Sequence, residues 1–294
     1  MAYQISSTIA SLCQNSTPEA AMTLLRRAGF DGVDFPLSHF SVEPTAPLCR
    51  EDWRTWVRGL KRHADAIGLT VVQAHAMWDQ RMAADLHYAH PWEIFGRTME
   101  ACRILECRHL IFHPVRQPDR VDSLRMRRRI HDWNVRWFYE LLPLAEQYDV
   151  IIDLENTFDS HRVQQPGDAP YPYATAEDML ALQRDIGSTR VQLCLDTGHA
   201  NISGQNVPEM IRSFRGNLST LHLNDNFGHR AEGTEDLHLF PGEGTLDWGA
   251  IMRALREIHY RGPLNIEPIA RLGTQTEEER LACMRAAADF LHTL

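Results

Sequence analysis

Val191-Gln-Leu-Cys-Leu-Asp-Thr-Gly-His199 is the stretch from which the rest of the chain can be read. An apolar run of strand length, Val191 to Leu195, stops at Asp196, passes through a small-residue turn and reaches His199. A strand buried on both faces of a parallel sheet has this near-continuous apolar character, and chemistry is done in the crevice at the carboxyl ends of such strands. The figure recurs on either side. Val150-Ile-Ile-Asp-Leu-Glu-Asn-Thr157 carries Glu155 at its tip, Leu218-Ser-Thr-Leu-His-Leu-Asn-Asp225 carries His222, and Gly262-Pro-Leu-Asn-Ile-Glu-Pro268 carries Glu267. Four successive strands therefore end in Glu, Asp, His and Glu.

Outward from this core the chain keeps one rhythm. Residues 3–9 predict a first strand, and Thr17-Pro18-Glu19 opens a helix that runs to about Gly29. Gly32-Val-Asp-Phe-Pro36 is a second strand, followed by a helix from about Asp52 with Trp53, Trp56, Val57, Leu60 and Ala64 at helical spacing. Thr70 to His75 and His109 to His113 are the third and fourth strands. Between them lie a loop holding Trp78, Arg81 and His87 and a helix over 91–106. A long helical stretch covers 123–148, and further helices fit 175–186, 207–215, 247–259 and 276–292. Eight strand-like runs alternating with eight helical ones predict a single α/β domain over 1–294. Its architecture is a (β/α)8 TIM barrel, with a doubly wound open sheet as the alternative.

The 294 residues carry 30 Lys and Arg against 39 Asp and Glu, a net charge of −9. That balance argues against a nucleic-acid partner, whose footprint is usually basic. Six cysteines show no Cys-x-x-Cys spacing and no disulfide-scaffold density, so reduced thiols in a cytoplasmic protein are expected. No apolar run approaches the ~20 residues needed to cross a bilayer, and no membrane association is expected.

Glu155, Asp196, His222 and Glu267 offer three carboxylates and one imidazole. This set suits a borderline-hard divalent ion such as Mn²⁺, Mg²⁺, Co²⁺ or Zn²⁺. Such an ion polarises a sugar carbonyl and its neighbouring hydroxyl, acidifying the proton on the carbon between them. Each glutamate can bind through one oxygen and move a proton with the other, so Glu155 and Glu267 are the candidate catalytic pair. His199, His75, His113, Asp236 and His238 are candidate substrate-binding residues, with Arg230 counted among them. Asn156 and Thr157 are expected to orient Glu155. Gly242-x-Gly244 before Thr245 reads as a turn into a capped helix, or as a phosphate seat. Arg125, Arg127, Arg128 and Arg129 read as the solvated start of a helix.

Leu154-Glu-Asn-Thr157, Leu195-Asp-Thr-Gly-His199, Leu221-His-Leu-Asn-Asp225, the segment from Asp236-Leu-His238 to Asp247-Trp248, and Ile266-Glu-Pro268 resemble the xylose isomerase-like TIM-barrel superfamily, in particular its sugar (phosphate) isomerase/epimerase branch. Ala28-Gly-Phe-Asp-Gly-Val-Asp34 is similar to its second-strand entry. The resemblance implies one catalytic divalent metal, most often manganese, on Glu155, Asp196, His222 and Glu267. It further implies a cis-enediolate route on a ketose or aldose, phosphorylated or not, and a homodimer or homotetramer. The same superfamily holds the AP endonuclease IV-like DNA repair enzymes. Their three-zinc site is matched in type and order by His75, His113, Glu155, Asp196, His199, His222, Asp236, His238 and Glu267. Against that alternative, His113 is followed by Pro-Val and 158–173 lacks a Gly-rich basic loop. A metal-dependent dehydratase of a cyclic polyol and a sugar-binding barrel without catalysis are the remaining readings.

Overall fold

The computed structural model describes residues 3–41, 43, 45–77, 92–115, 124–158, 171–228, 236–268, 272 and 275–294. Eight strands, β1 (Ile5–Thr8), β2 (Gly32–Phe35), β3 (Thr70–His75), β4 (His109–Phe112), β5 (Ile151–Glu155), β6 (Val191–Asp196), β7 (Leu218–His222) and β8 (Leu264–Ile266), form one sheet in the order β7-β6-β5-β4-β3-β2-β1-β8. All seven hydrogen-bonded pairings are parallel. The remaining seam is bridged just past β7, where Leu223 N donates to Asn265 O at 2.7 Å. The sheet thus closes on itself as a (β/α)8 barrel.

Between the strands run α1 (Pro18–Ala28), α2 (Trp53–Ile67), α3 (Trp92–Leu105), α4 (Leu124–Tyr148), α5 (Ala176–Ile186), α6 (Thr197–Ile202), α7 (Val207–Phe214) and α8 (Trp248–Glu257), and α9 (Glu277–Thr293) follows β8. Local chemistry fixes several ends. Thr17 Oγ1 accepts from Ala20 N at 3.2 Å with Pro18 at the first helical position, and Gly29, at φ 102°, ends α1. Thr276 and Glu279 form a reciprocal capping box at the start of α9. Trp53, Val57, Leu60 and Ala64 of α2 are buried, as their spacing predicts. A layer of apolar side chains, with Phe30, Phe35, Phe95, Phe112, Phe138 and Phe214 fully buried among them, separates strands from helices.

The barrel interior is different. Ser6, Asp34, Gln73, Asp153, Thr220 and Asn265, all on strands, are buried and polar. A hydrogen-bonded chain crosses the interior from Ser6 on β1 through Asn265 on β8 and Asp34 on β2 to Gln73 on β3.

One element differs from the sequence expectation. The turn after Asp196 is a short helix, α6, because Asp196 Oδ1 accepts from His199 N at 2.7 Å and caps it. Among the described residues no helix is long and apolar enough to cross a membrane, and all six cysteines are free thiols. Trp78, Arg81, His87 and Arg230 lie outside the described residues.

Candidate metal centre

Two register shifts aim the site. Along β6 and β7 the pairing is Leu193 with Leu218, then Cys194 with Thr220, which leaves one extra residue in β7. A bulge of this kind re-aims the residues that follow it. Here it sets Asp196 opposite His222, where an unbroken ladder would have offered Leu221. Between β2 and β3 a second shift pairs Asp34 with Gln73 where an unbroken ladder would have given Val72.

At the strand tips the ligand-type atoms of Glu155, Asp196, His222 and Glu267 all lie within 4.8 Å of one another. His222 Nδ1 is central, 3.0 Å from Glu155 Oε1, 3.5 Å from Glu267 Oε2 and 4.0 Å from Asp196 Oδ2. Two further groups adjoin this one. His113 Nε2 and His75 Nε2 sit 2.9 and 3.3 Å from Glu155 Oε2. On the other side, His238 Nε2 and His199 Nε2 sit 2.6 and 3.3 Å from Asp236 Oδ2. The fold therefore gathers nine of the ten sequence-selected residues into three adjoining groups, with Glu155 shared by two. Arg230 is the tenth.

Ring tautomers follow from the other nitrogen of each imidazole. His75 Nδ1 donates to Ala76 O (2.7 Å), His199 Nδ1 to Asn156 O (2.9 Å) and His238 Nδ1 to Glu267 O (2.9 Å), because a carbonyl only accepts. Each Nε2 then faces carboxylate oxygen, which also only accepts. His222 is arranged in the opposite sense, with Nε2 3.0 Å from Asp34 Oδ2 and Nδ1 toward the cluster. Each of these four rings must be an imidazolium or share a cation with the carboxylate it faces. Pinning one ring nitrogen so that the other is presented is how proteins orient metal-binding histidines. The donor set thus fits divalent ions.

Metal-free electrostatics agree. Burial alone would lower the histidines, but their carboxylates prevail. Asp196 and Asp236 hold His199 up to about 10, Asp236 holds His238 up to about 9, and His75 and His222 are also raised, by Glu155 and by Glu267 with Glu155. Glu155 is the converse case. Burial pushes its carboxyl up, and His222 and His113 overrule it to hold the group well below the usual range. Burial lifts Asp196 up to about 6 despite the nearby His199.

Among the described residues all members of the three groups except Asp196 and His222 line a cavity of about 270 Å³, at the small end of ligand pockets. Thr8, Ala10 and Pro36, His39 and Ser38 from the turn after β2, and Phe158, its ring 4.6 Å from that of His199, also line it. No residue of the Arg125 to Arg129 run lines it. Arg125, Arg128 and Arg129 are exposed, as expected of a solvated helix start.

The segment carrying Asp236 and His238 is held by Asp225. Asp225 bridges Leu239 as an antiparallel pair, and its buried carboxylate accepts from Asn226 N (2.9 Å), Gly242 N (3.1 Å), Leu246 N (3.3 Å) and Trp248 Nε1 (2.8 Å). The Gly242-x-Gly244 turn therefore wraps an internal carboxylate, and the Gly242 and Leu246 amides that a phosphate seat would need are already engaged. A Cβ on Gly244 would collide with the Asp225 carboxylate and Asn226 O.

The sequence profile of the "Xylose isomerase-like TIM barrel" family matches residues 22–293. The chain belongs to this family. Among its relatives, a D-psicose 3-epimerase of Enterocloster bolteae is 33% identical over 141 residues, covering 47% of this chain and 40% of that protein. The chain thus spans less than half the length of that relative. A probable endonuclease 4 of Thermoplasma acidophilum is 28% identical over 197 residues, 63% of this chain and 62% of the relative. A solved structure of IOLI protein with a binding zinc atom shares the fold, with a TM-score of 0.74 at 18% identity over 99% of this chain and 98% of the other.

Within this xylose isomerase-like barrel, three supporting residues, Asp34, Asn224 and Asp225, had little or no signal in the sequence, and two expected ones, Asn156 and Thr157, act elsewhere than expected. Asp34 sits inside a strand. Asn224 Nδ2 donates to Asp196 Oδ2 at 2.6 Å, and its Oδ1 accepts from Glu267 N at 3.2 Å, tying two ligand positions together. Asn156 was expected to orient Glu155, but it holds the Asp196 backbone instead, accepting from Asp196 N at 2.8 Å and donating to Asp196 O at 3.0 Å. Thr157 Oγ1 donates to Pro172 O and so secures the loop end. Asp225 lies within a polar Leu-Asn-Asp-Asn run that reads as an ordinary loop.

Proposed function

We propose that the chain is a divalent-metal-dependent sugar isomerase or epimerase, acting on a ketose or aldose, phosphorylated or not, through a cis-enediolate. The observation that carries this reading is the approach of Glu155 Oε1 and Glu267 Oε2 to one nitrogen of His222, at 3.0 and 3.5 Å, with both glutamates in the wall of a small, imidazole-lined cavity. Glu155, Asp196, His222 and Glu267 would hold the ion, manganese in the first instance, with Mg²⁺, Co²⁺ or Zn²⁺ as alternatives. When bound, it supplies Lewis acidity toward a sugar carbonyl and the adjacent hydroxyl. One glutamate removes the proton from the carbon between these oxygens, and the other returns a proton to the opposite face, or to the neighbouring carbon for isomerisation. His199, His75, His113, Asp236, His238 and Arg230 are assigned to substrate oxygens. Similarity to the E. bolteae epimerase supports the substrate class, and the zinc-bound neighbour supports the metal. Six free thiols support a cytoplasmic setting, and homo-oligomerisation is part of the proposal.

A second reading rests on one specific observation, the completeness of all three groups, two of them sharing Glu155. Three zinc ions there would suit phosphodiester hydrolysis, in line with the T. acidophilum relative. The test is a panel of ketoses incubated in deuterated water with metal-replete enzyme, read by NMR, beside elemental analysis of the protein. Inversion or isomerisation with carbon-bound deuterium is expected, and Glu155→Gln and Glu267→Gln should abolish turnover while leaving the fold intact. No exchange in any sugar, together with three zinc ions per chain and cleavage of abasic DNA, would reverse the order of the two readings.

A further inference from the structure

Asp34 belongs to none of the three ligand groups, yet it is a carboxylate inside the barrel at 1% exposure. Its Oδ2 accepts from three donors at once: His222 Nε2 at 3.0 Å, Gln73 Nε2 at 3.1 Å and Asn265 Nδ2 at 3.2 Å. The amides are themselves anchored. Gln73 Nε2 also donates to Leu221 O at 3.3 Å, one residue before His222, and Asn265 Oδ1 accepts from Ser6 Oγ at 2.8 Å. The β2–β3 register shift is what turns Asp34 onto Gln73. Gly32, two residues earlier, has room for no side chain, since a Cβ there would lie 2.6 Å from Val72 Cγ1.

We infer that Asp34 is a positioning residue that fixes the His222 ring, keeping the proton on Nε2 so that the Nδ1 lone pair is presented to Glu155, Asp196 and Glu267. An oxygen that receives three donors acts as an acceptor, so the proton shared with His222 resides on the ring. Gln73 and Asn265 hold Asp34 against rotation, and the ring cannot turn without breaking its bond to Asp34. The negative charge behind Nε2 also raises the basicity of Nδ1, which strengthens it as a ligand. A merely space-filling polar residue at position 34 would have no such effect on cation affinity.

This inference rests on the proposed reading of the four-residue cluster as a cation site, and the experiment separates the two. Metal-free wild-type protein and Asp34→Asn are titrated with MnCl₂ by calorimetry, with near-ultraviolet circular dichroism as the folding control. In Asp34→Asn, an amide NH₂ toward His222 would move the ring proton to Nδ1, and the amide oxygen toward it would remove the charge. Affinity is expected to fall by about 10–100-fold. Equal affinity in the two proteins overturns the inference and leaves the cation reading standing. No binding by the wild type removes the cation reading and this inference with it. Should Asp34→Asn fail to fold, zinc-loaded wild type labelled with ¹⁵N-histidine decides, with the His222 signal assigned by its loss in His222→Asn. A proton on Nε2 supports the inference and a proton on Nδ1 overturns it.

Discussion

Replacing Asp225 by asparagine changes one atom and no volume, which makes it a sharp probe of the segment that carries Asp236 and His238. Asp225 Oδ1 accepts from Asn226 N and Leu246 N, and Oδ2 from Gly242 N and Trp248 Nε1. An asparagine turns one of these oxygens into a donor. Whichever way the amide sits, two of the four donors lose their acceptor and face an N–H group. Hydrogen bonds to a charged acceptor contribute about 1.5–3 kcal/mol each, so the expected loss is about 3–6 kcal/mol. Against a typical folding stability of about 5–15 kcal/mol that is a large fraction. Urea unfolding at pH 7 measures the global part. If the segment opens by itself, the loss appears as faster hydrogen exchange at the Gly242 and Leu246 amides. A variant within about 1 kcal/mol of wild type, with both amides equally protected, would refute the assignment of Asp225 as the anchor.

Three further outcomes are expected. Gly244→Ala should reproduce the Asp225→Asn phenotype in the same two assays, since its Cβ would push into the Asp225 carboxylate. Chelated, metal-free protein should lose stability as pH rises. His199 and His238 are held up to about 10 and about 9, against roughly 6.5 in the unfolded chain. Their contribution is fully present below about pH 6.5 and lost as pH climbs through 9 and 10, by on the order of 1.4 kcal/mol per pH unit for each proton. Melting curves from pH 6 to 10 with and without Mn²⁺ check this, and a metal-free melting temperature that is flat over the range would contradict it. Asp196→Asn should keep the α6 cap, because asparagine caps as well as aspartate, and removes the carboxylate whose burial lifts it up to about 6. With the cap kept on Oδ1, Asn224 Nδ2 loses its charged acceptor and His199 a carboxylate neighbour, so the metal-free variant is expected to lose about 1.5–3 kcal/mol by urea unfolding at pH 7, while calorimetry shows its Mn²⁺ affinity sharply reduced.

The strand tips were legible because a buried parallel strand is apolar throughout, so a terminal Glu, Asp or His stands out against it. Asp34 was not, since a polar residue within Gly-Val-Asp-Phe carries no mark of the register shift that turns it toward Gln73 and His222. The same holds for the β6–β7 shift, because a bulge is a relation between two strands and neither strand's sequence announces it. Asp196 shows a different limit. Helix cap and ligand position look like competing explanations for a strand-terminal acid, but the carboxylate has two oxygens. Oδ1 takes His199 N, and Oδ2 faces His222 and Asn224. The glycine-rich turn misleads in the same way, because backbone N–H groups arranged for an anion do not say whether that anion is a ligand phosphate or the protein's own Asp225.

The two glutamates look equivalent in the sequence, and the structure makes them unequal. Glu155 Oε2, the oxygen left over from His222, already meets His113 and His75, and against its burial His222 and His113 hold the carboxyl well below the ordinary range. A carboxylate stabilised as an anion is the weaker base. Glu267 Oε2 meets longer contacts, Asn224 Nδ2 and His222 Nδ1 each at 3.5 Å and, at 3.3 Å, a His238 Nδ1 that already donates to a backbone carbonyl. Glu267 Oε2 is therefore the less engaged of the two oxygens, and it is expected to take the substrate proton. The two substitutions should then fail differently in deuterated water with saturating metal. Glu155→Gln still removes the proton through Glu267, so one epimer should exchange its carbon-bound hydrogen for deuterium without inverting. Glu267→Gln should show little exchange from that epimer. The exchange rates of the two variants, read by NMR on the same sugar, decide the point. Inversion by Glu155→Gln, or equal exchange by both, would mean that the imidazoles on Glu155 do not set its basicity during turnover.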